Sequence, residues 1–353
     1  MAALRQTLSA LVVAALLAGC AGPGPEPDDS GVATASGPAS SRSAAAPTAS
    51  PSPAASTGAD AAAVGANELG RVPVLMYHQL KDRPRGVYDI TPARFRAELE
   101  RFAREGYVPV TAADYANGQI DIPAGKHPVV LTFDDSTTSQ LALDPAGRPR
   151  PGTAVAILLE VAARHPGFTP TATFFVNRDP FAEPGGRRHL GWLHENGFEV
   201  GNHTLDHAGL RGMSAAGVRR QLAADTAMIT RAVPDIEVRT LSLPLGQRPR
   251  NTRLMMSGQW RGTSYRHDAA FLVGAGTASS PHSRGFDPTG VPRLRSQGRS
   301  GPDARYASAR TLDRLAASPG DRYTSDGDPA VISFPQAMAG ELTAAARPGA
   351  NPY

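Results

Sequence analysis

The chain of 353 residues has a single cysteine, Cys20. One thiol cannot close a disulfide within the chain, so the fold must be held by a packed core. Long apolar runs are missing as well. The hydrophobic stretch Leu8 to Ala18 is too short to span a bilayer as a stable anchor. Lysine is scarce and arginine abundant, and the formal charge of +4 with a pI of about 9.4 is only a mild basic excess. No cluster of Lys and Arg is interleaved with aromatic residues, so no nucleic-acid partner is expected. An anionic wall polymer or a membrane surface would suit this charge, and so would plain water. From Ala21 to about Asn67 there is hardly an aromatic or large aliphatic residue, and Ala, Ser, Pro, Gly and Thr dominate. Such a segment cannot bury enough apolar surface to offset the entropy of ordering. Residues 21–70 are therefore expected to form a disordered tether. No internal repeat is evident.

What is present begins at the first residues. Arg5 gives a short positive start, the apolar run follows, and Leu17-Ala18-Gly19-Cys20 ends it. This is the pattern of a secretory signal peptide over residues 1–20. Its last four residues resemble the lipobox of bacterial lipoproteins. That resemblance implies that Cys20 is the lipidated first residue of the mature chain, held extracytoplasmically on the cell membrane; the plainer alternative is a signal peptide that happens to contain a cysteine. The folded part is expected over residues 71–353 and is read as a monomer.

Within it, Val72 to Tyr77 reads as a short buried strand, and Thr91-Pro92 opens a helix with Thr as N-cap and Pro at its first position. Phe95, Leu99 and Phe102 share one face of that helix, and Gly106 closes it. Val129 to Phe133, Ala172 to Val176, Phe198 to Val200, Thr240 to Leu243, Phe271 to Val273 and Val331 to Phe334 are further strand candidates. Helices are expected over Ala154 to Ala163, over Leu190 to Glu195, and after the cap Ser214. Buried strands alternating with amphipathic helices indicate an α/β fold with a parallel sheet. Polar residues stand directly after several strands, at Asp134-Asp135, His203 and Pro244-Leu245-Gly246. That is the face on which a (β/α) barrel gathers its active site.

Two elements carry chemistry. Adjacent carboxylates, Asp134 and Asp135, follow a buried strand, where burying both is costly unless something positive such as a metal compensates them; the plainer alternative is a helix cap or loop pair facing water. His203 and His207 stand at i and i+4, a spacing that puts both on one face of a helical turn. With one carboxylate they make a three-ligand site of the kind catalytic zinc uses, with a position left open. A metal there lowers the pKa of water from about 15.7 towards 7.

These residues resemble the polysaccharide deacetylases of the NodB-homology type, carbohydrate esterase family 4. The resemblance rests on Thr132-Phe133-Asp134-Asp135 and His203-Thr204-Leu205-Asp206-His207, with support from Val74 to His78, Ala172 to Val176 and Phe198 to Asn202. It extends over about Val72 to Phe334 and is weak after Gly246. It implies a distorted (β/α) barrel of about seven parallel strands and removal of acetyl groups from an N-acetylated polysaccharide. Asp134 is then the general base, and Asp135, His203 and His207 hold a divalent metal: zinc, with cobalt, nickel or iron fitting the same donors. The backbone N–H of Leu245, in Ser242-Leu243-Pro244-Leu245-Gly246, would stabilise the oxyanion.

The resemblance is incomplete in two places. Ser242 stands where the family usually has an arginine that orients the catalytic Asp; Arg293 is a candidate to supply that charge, or is a surface arginine in a Pro-bounded loop. Pro335, after Val331 to Phe334, stands where a histidine would protonate the leaving amine. His282 is the candidate replacement, against the plainer reading of a solvent-facing histidine. His78 follows the first strand and is assigned no chemistry. These gaps keep two further readings open: an O-acetyl esterase acting on acetylated glycans, and a lipid-anchored glycan-binding protein without activity. Leu141 to Arg150 reads as an inserted turn, either shaping the substrate groove or simply a surface excursion.

Overall fold

The computed structural model describes residues 58–353 apart from Ala275 and residues 300–303. The signal peptide, Cys20 and the tether up to residue 57 lie outside the described residues.

Eight strands make one parallel sheet: β1 (Val74–Tyr77), β2 (Tyr107–Val110), β3 (His127–Asp134), β4 (Thr173–Val176), β5 (Glu199–Asn202), β6 (Thr240–Ser242), β7 (Ala269–Phe271) and β8 (Leu294–Arg295). Seven of them run in the order β7-β6-β5-β4-β3-β1-β8, and β2 lies beside the first half of β3. The sheet curls until its ends meet. Val291, just before β8, bridges to Phe271 of β7, with N–H···O bonds of 2.8 and 2.9 Å on either side. The result is the distorted (β/α) barrel that the resemblance implied; the alternation of strands and helices alone indicated only α/β with a parallel sheet.

The strands are continuously apolar because both of their faces are covered. Leu131, Phe133 and Phe174 point outward to the helices, and the Phe133 and Phe174 rings stack at 4.8 Å. Val74, Val130, Phe175 and Phe271 point inward. Helix α2 (Pro92–Arg104) starts as its sequence dictates: the Thr91 hydroxyl accepts from the Arg94 N–H, and Phe95, Leu99 and Phe102 are buried. Helices α4 (Ala154–Arg164), α5 (Arg187–Glu195) and α6 (Ala215–Ala232) follow their strands, α4 and α6 capped by Thr153 and Ser214. Along β3 the inward residues change from Val130 to Thr132 to Asp134, all buried. The barrel interior is thus apolar at one end and polar at the C-terminal end of the strands. Among the described residues no helix is long and apolar enough to cross a membrane.

Two expectations are corrected. Residues 58–70 are not free tether: Gly58–Ala63 is helical, and Ala61, Ala66 and Leu69 are buried. Asn67 and Glu68 donate their N–H groups to Thr324 and Ser333. The folded part begins by Gly58, because small residues that look uncommitted by composition fit a tight contact with the C-terminal segment. The strand Ile332–Phe334 is not in the barrel. It pairs with Ala350–Pro352 in a separate two-stranded sheet packed on Leu69, Leu342 and Ala346. The barrel is closed instead by β8, two residues long and too brief to show as an apolar run.

Candidate metal centre and active site

Every strand named as a source of chemistry delivers it at its C-terminal end. His78 follows β1, Asp134 ends β3 with Asp135 next, His203 follows β5, Leu243 and Leu245 follow β6, and Val273 follows β7. With Tyr88, these residues line one cavity of about 170 Å³.

The ligand atoms of Asp135, His203 and His207 lie within 4.8 Å of one another, the only such cluster of three among the described residues. Asp135 Oδ1 is 3.3 Å from His203 Nε2 and 3.3 Å from His207 Nε2. A tetrahedral ion with bonds of about 2.0–2.1 Å holds its ligands about 3.3 Å apart, so the spacing fits. The His203 ring is fixed in the tautomer a ligand needs: its Nδ1–H donates to the Ser242 carbonyl at 3.0 Å, which leaves the Nε2 lone pair free. Asp135 Oδ1 and His203 Nε2 are buried and have no hydrogen-bond partner. Buried polar atoms left unsatisfied and aimed at a common point are what an ion would complete.

The histidine pair does not use the helical turn expected from its spacing. Residues 203–207 form an irregular turn in which Thr204 (φ 57°) and His207 (φ 50°) are left-handed. Neighbours hold it. The Thr204 N–H donates to Asn202 Oδ1 at 2.9 Å, and the His203 N–H donates to Asp225 Oδ2 at 3.1 Å. The Asp206 N–H donates to Gln221 Oε1 at 3.0 Å, and the Gln221 amide donates back to Asp206 Oδ2 at 2.8 Å. Asp135 (φ 73°) and Leu245 (φ 58°) are left-handed too. Four non-glycine residues in this conformation at one site mark backbone strain that the surrounding structure must over-determine.

Asp134 is separated from the ligand cluster by its partner. Arg293 reaches across the barrel, and its Nη1 and Nη2 donate to Asp134 Oδ1 and Oδ2 at 2.8 and 2.7 Å. Its remaining N–H groups go to Thr132 Oγ1 (3.0 Å), Ser242 Oγ (2.9 Å) and the Leu272 carbonyl (2.6 Å). The guanidinium has five N–H groups, and all five are used. Ser242 accepts from Arg293 and donates to Asp134 Oδ2 at 3.2 Å. The position where the family's arginine is missing thus carries a hydroxyl that relays the charge of Arg293.

The electrostatics follow. Burial would raise the Asp134 carboxyl, but Arg293, then His203 and His78, hold it far below the usual range, so it is a carboxylate. Burial opposes charge on His203, yet Asp134 and Asp135 outweigh it and push the imidazole pKa up. Two carboxylates with one fixed cation thus draw further positive charge onto the ligand cluster. Burial pushes His78 and His207 down.

His78, assigned no chemistry from sequence, lies in the cavity with Nε2 at 3.8 Å from Asp134 Oδ2. Its Nδ1 is buried without a partner, and its ring packs on Tyr88 at 4.7 Å. The signal available was its position just past a strand, the same signal that marked Asp134 and His203. His282 is elsewhere. It packs over Gly118, just beyond helix α3 (Ala112–Ala116), whose Ala112 N–H bonds to Thr173 at the N-terminal end of β4. It therefore sits at the opposite end of the barrel from the cavity, and Pro335 belongs to the separate small sheet. Neither borders the chemistry.

Comparison with known proteins agrees with this picture. No curated protein sequence matches the chain. Among solved structures, a polysaccharide deacetylase from Bacillus cereus aligns with a TM-score of 0.50 at 18% identity, covering 70% of this chain and 68% of its own. A Bacillus anthracis protein assigned to the same class gives 0.50 at 18%, covering 68% of each. At that identity the likeness is one of fold. Residues 121–258 match the family model of polysaccharide deacetylases. That span contains Asp134, the three candidate ligands and Leu245, but neither His78 nor Arg293. The part of this chain that carries the carboxylate pair and the two histidines is thus the part that matches the polysaccharide deacetylase family model.

Proposed function

We propose that the chain is a metal-dependent hydrolase that removes N-acetyl groups from N-acetylhexosamine units of a wall or extracellular polysaccharide. One observation carries the reading: a preformed Asp-His-His ligand set shares a cavity with a second carboxylate that is held ionised. A protein that only bound sugar would have no use for both. The residues fit zinc best, and a bound divalent metal would supply Lewis acidity and make water acidic enough to attack at neutral pH.

The chain's own groups do the rest. Arg293 and Ser242 fix Asp134 as a carboxylate, oriented to take a proton from the attacking water. The Leu245 N–H is the donor for negative charge developing on the acetyl oxygen. His78, whose Nε2 is 3.8 Å from Asp134 Oδ2, hands on to the departing amine the proton that Asp134 takes from water, the role that the resemblance had given to the position of Pro335. An amide leaving group needs that proton, whereas an ester leaving group depends on it less. With His78 in the cavity, the missing terminal histidine no longer favours the esterase reading or the inactive one. Lipidation of Cys20 and extracytoplasmic anchoring complete the proposal and rest on the sequence pattern around that residue.

The test is acetate release from N-acetylglucosamine oligomers by the purified chain. Release is expected with zinc, is lost with chelator, and falls by about 10²–10⁴ in Asp134→Asn while metal binding persists. Stoichiometric metal binding without acetate release from N- or O-acetylated glycans would end the enzyme reading.

A further inference from the structure

His78 and Tyr88 both line the metal cavity, and the chain between them lines something else. After the short strand Gln79–Leu80 the backbone loops out and returns as Asp89–Ile90, paired in parallel with it. In that loop Lys81, Asp82, Arg83 and Arg85 form one side of an open groove of about 730 Å³. Thr138 and the excursion Leu141 to Arg150, through Ala142 and Arg150, contribute the other side. The groove is tied to the active cavity through the chain: Thr138 stands three residues past Asp135, and the Leu80 N–H donates to Ser139 Oγ at 3.1 Å. The Gln140 amide clasps the carbonyls of both His78 and Asp134.

Its charge is one-sided. Lys81 is answered by Asp89 at 3.1 Å. Arg83, Arg85 and Arg150 are exposed, and among the described residues no carboxylate or hydrogen-bond acceptor holds their guanidinium groups. Asp82 is the single carboxylate in the lining. Some exposed arginines close on carboxylates, including Arg148 of the same excursion on Asp144 at 2.9 Å and Arg299 on Asp313 at 2.7 Å, and others such as Arg211 and Arg231 do not; the groove differs in gathering three on one concave surface. Three unanswered guanidinium groups around one concave surface repel one another unless an anion joins them. Their planar forks match carboxylate and phosphate oxygens. Tyr88, at the far end of the same loop, lines the metal cavity and is one of the few large hydrophobic side chains exposed among the described residues, with Arg295 over its ring at 5.2 Å.

We propose that this groove holds a negatively charged stretch of the polymer beside the N-acetylated residue being cleaved, so that the substrate is an anionic N-acetylated glycan rather than a neutral homopolymer. The placement of the acetylated residue rests on the deacetylase reading, but the charge preference does not. The excursion from Leu141 to Arg150 is then part of the substrate groove.

The experiment measures binding and acetate release separately, on the intact zinc-loaded chain. Three labelled oligomers serve as probes: neutral N-acetylglucosamine, an alternating N-acetylglucosamine–glucuronate oligomer, and N-acetylglucosamine joined by phosphodiesters. At least one anionic probe is expected to bind about tenfold more tightly than the neutral one at low salt. The ratio should collapse at about 1 M salt, where screening acts within about 3 Å. In the triple variant Arg83→Ala, Arg85→Ala, Arg150→Ala, with an unchanged melting temperature, the ratio should fall to about one. Whichever anionic probe binds identifies carboxylate or phosphodiester as the recognised group. Equal binding of all three, or a preference the triple variant keeps, overturns the proposal. Arginine-dependent binding of an anionic probe with no acetate released keeps the groove and removes the hydrolase.

Discussion

Asp134 and Arg293 are both fully buried, and each charge is costly without the other. Removing one partner of a buried pair leaves an uncompensated charge and destabilises by about 3–5 kcal/mol. Arg293→Met should therefore lower stability by that order in chemical denaturation, and adding Asp134→Asn should restore most of it. A surface arginine would show no such coupling. His78 is tested by its leaving group: His78→Gln should lower kcat on an N-acetylated oligomer by about 100-fold and spare p-nitrophenyl acetate, whose phenolate departs unaided. Equal losses on both would give the proton transfer to another group. Asp134, Asp135, His203 and His207 were legible in the sequence because chemistry fixes their type and spacing. Arg293 was legible only as an option, since its role depends on a span of 159 residues that no local pattern encodes. His78 sat in view and was passed over because it has no paired residue nearby in sequence.

The ligand turn after β5 owes its shape to helix α6. Gln221 both accepts from and donates to Asp206, and its carbonyl accepts the Leu205 N–H at 3.3 Å. Gln221→Ala should weaken zinc binding by about 10–100-fold, as loss of a group that orients metal ligands does. Calorimetric titration with zinc checks this, and an unchanged affinity would mean that the turn holds itself. The helices and long strands were readable because capping residues and apolar periodicity are local. The turn at 203–207 departs from the helical expectation because i, i+4 spacing is shared by a helix and by a turn with two left-handed residues. The last barrel strand leaves no apolar trace in the sequence, since Leu294-Arg295, set between Arg293 and Ser296, carries less apolar signal than Val331 to Phe334.

Across the whole domain, the first and last segments are joined at a buried acid. Glu68 is 2% exposed, and its carboxyl accepts from the Tyr323 hydroxyl at 3.2 Å and the Ser333 N–H at 2.9 Å. Burial first, and the charge of Asp326 second, push its pKa up to about 8. The folded state thus binds a proton that the unfolded chain has released by pH 4.5. Stability from this group is full below that pH and declines as pH rises towards 8, where the slope ends. Melting temperature should fall across that window, and Glu68→Gln, which stays neutral, should flatten the fall. A parallel decline in the variant would assign it to other groups. Composition concealed this junction, since Ala-rich sequence reads as slack until the surface it docks on is known. The barrel's seam has a consequence of its own. The five residues from Val291 to Arg295 zip the first strand to the seventh and in the same stroke deliver the counter-charge of Asp134. Opening that zipper alone would leave the Asp134 carboxylate buried without its cation, so on the proposed function activity would fail before the fold does.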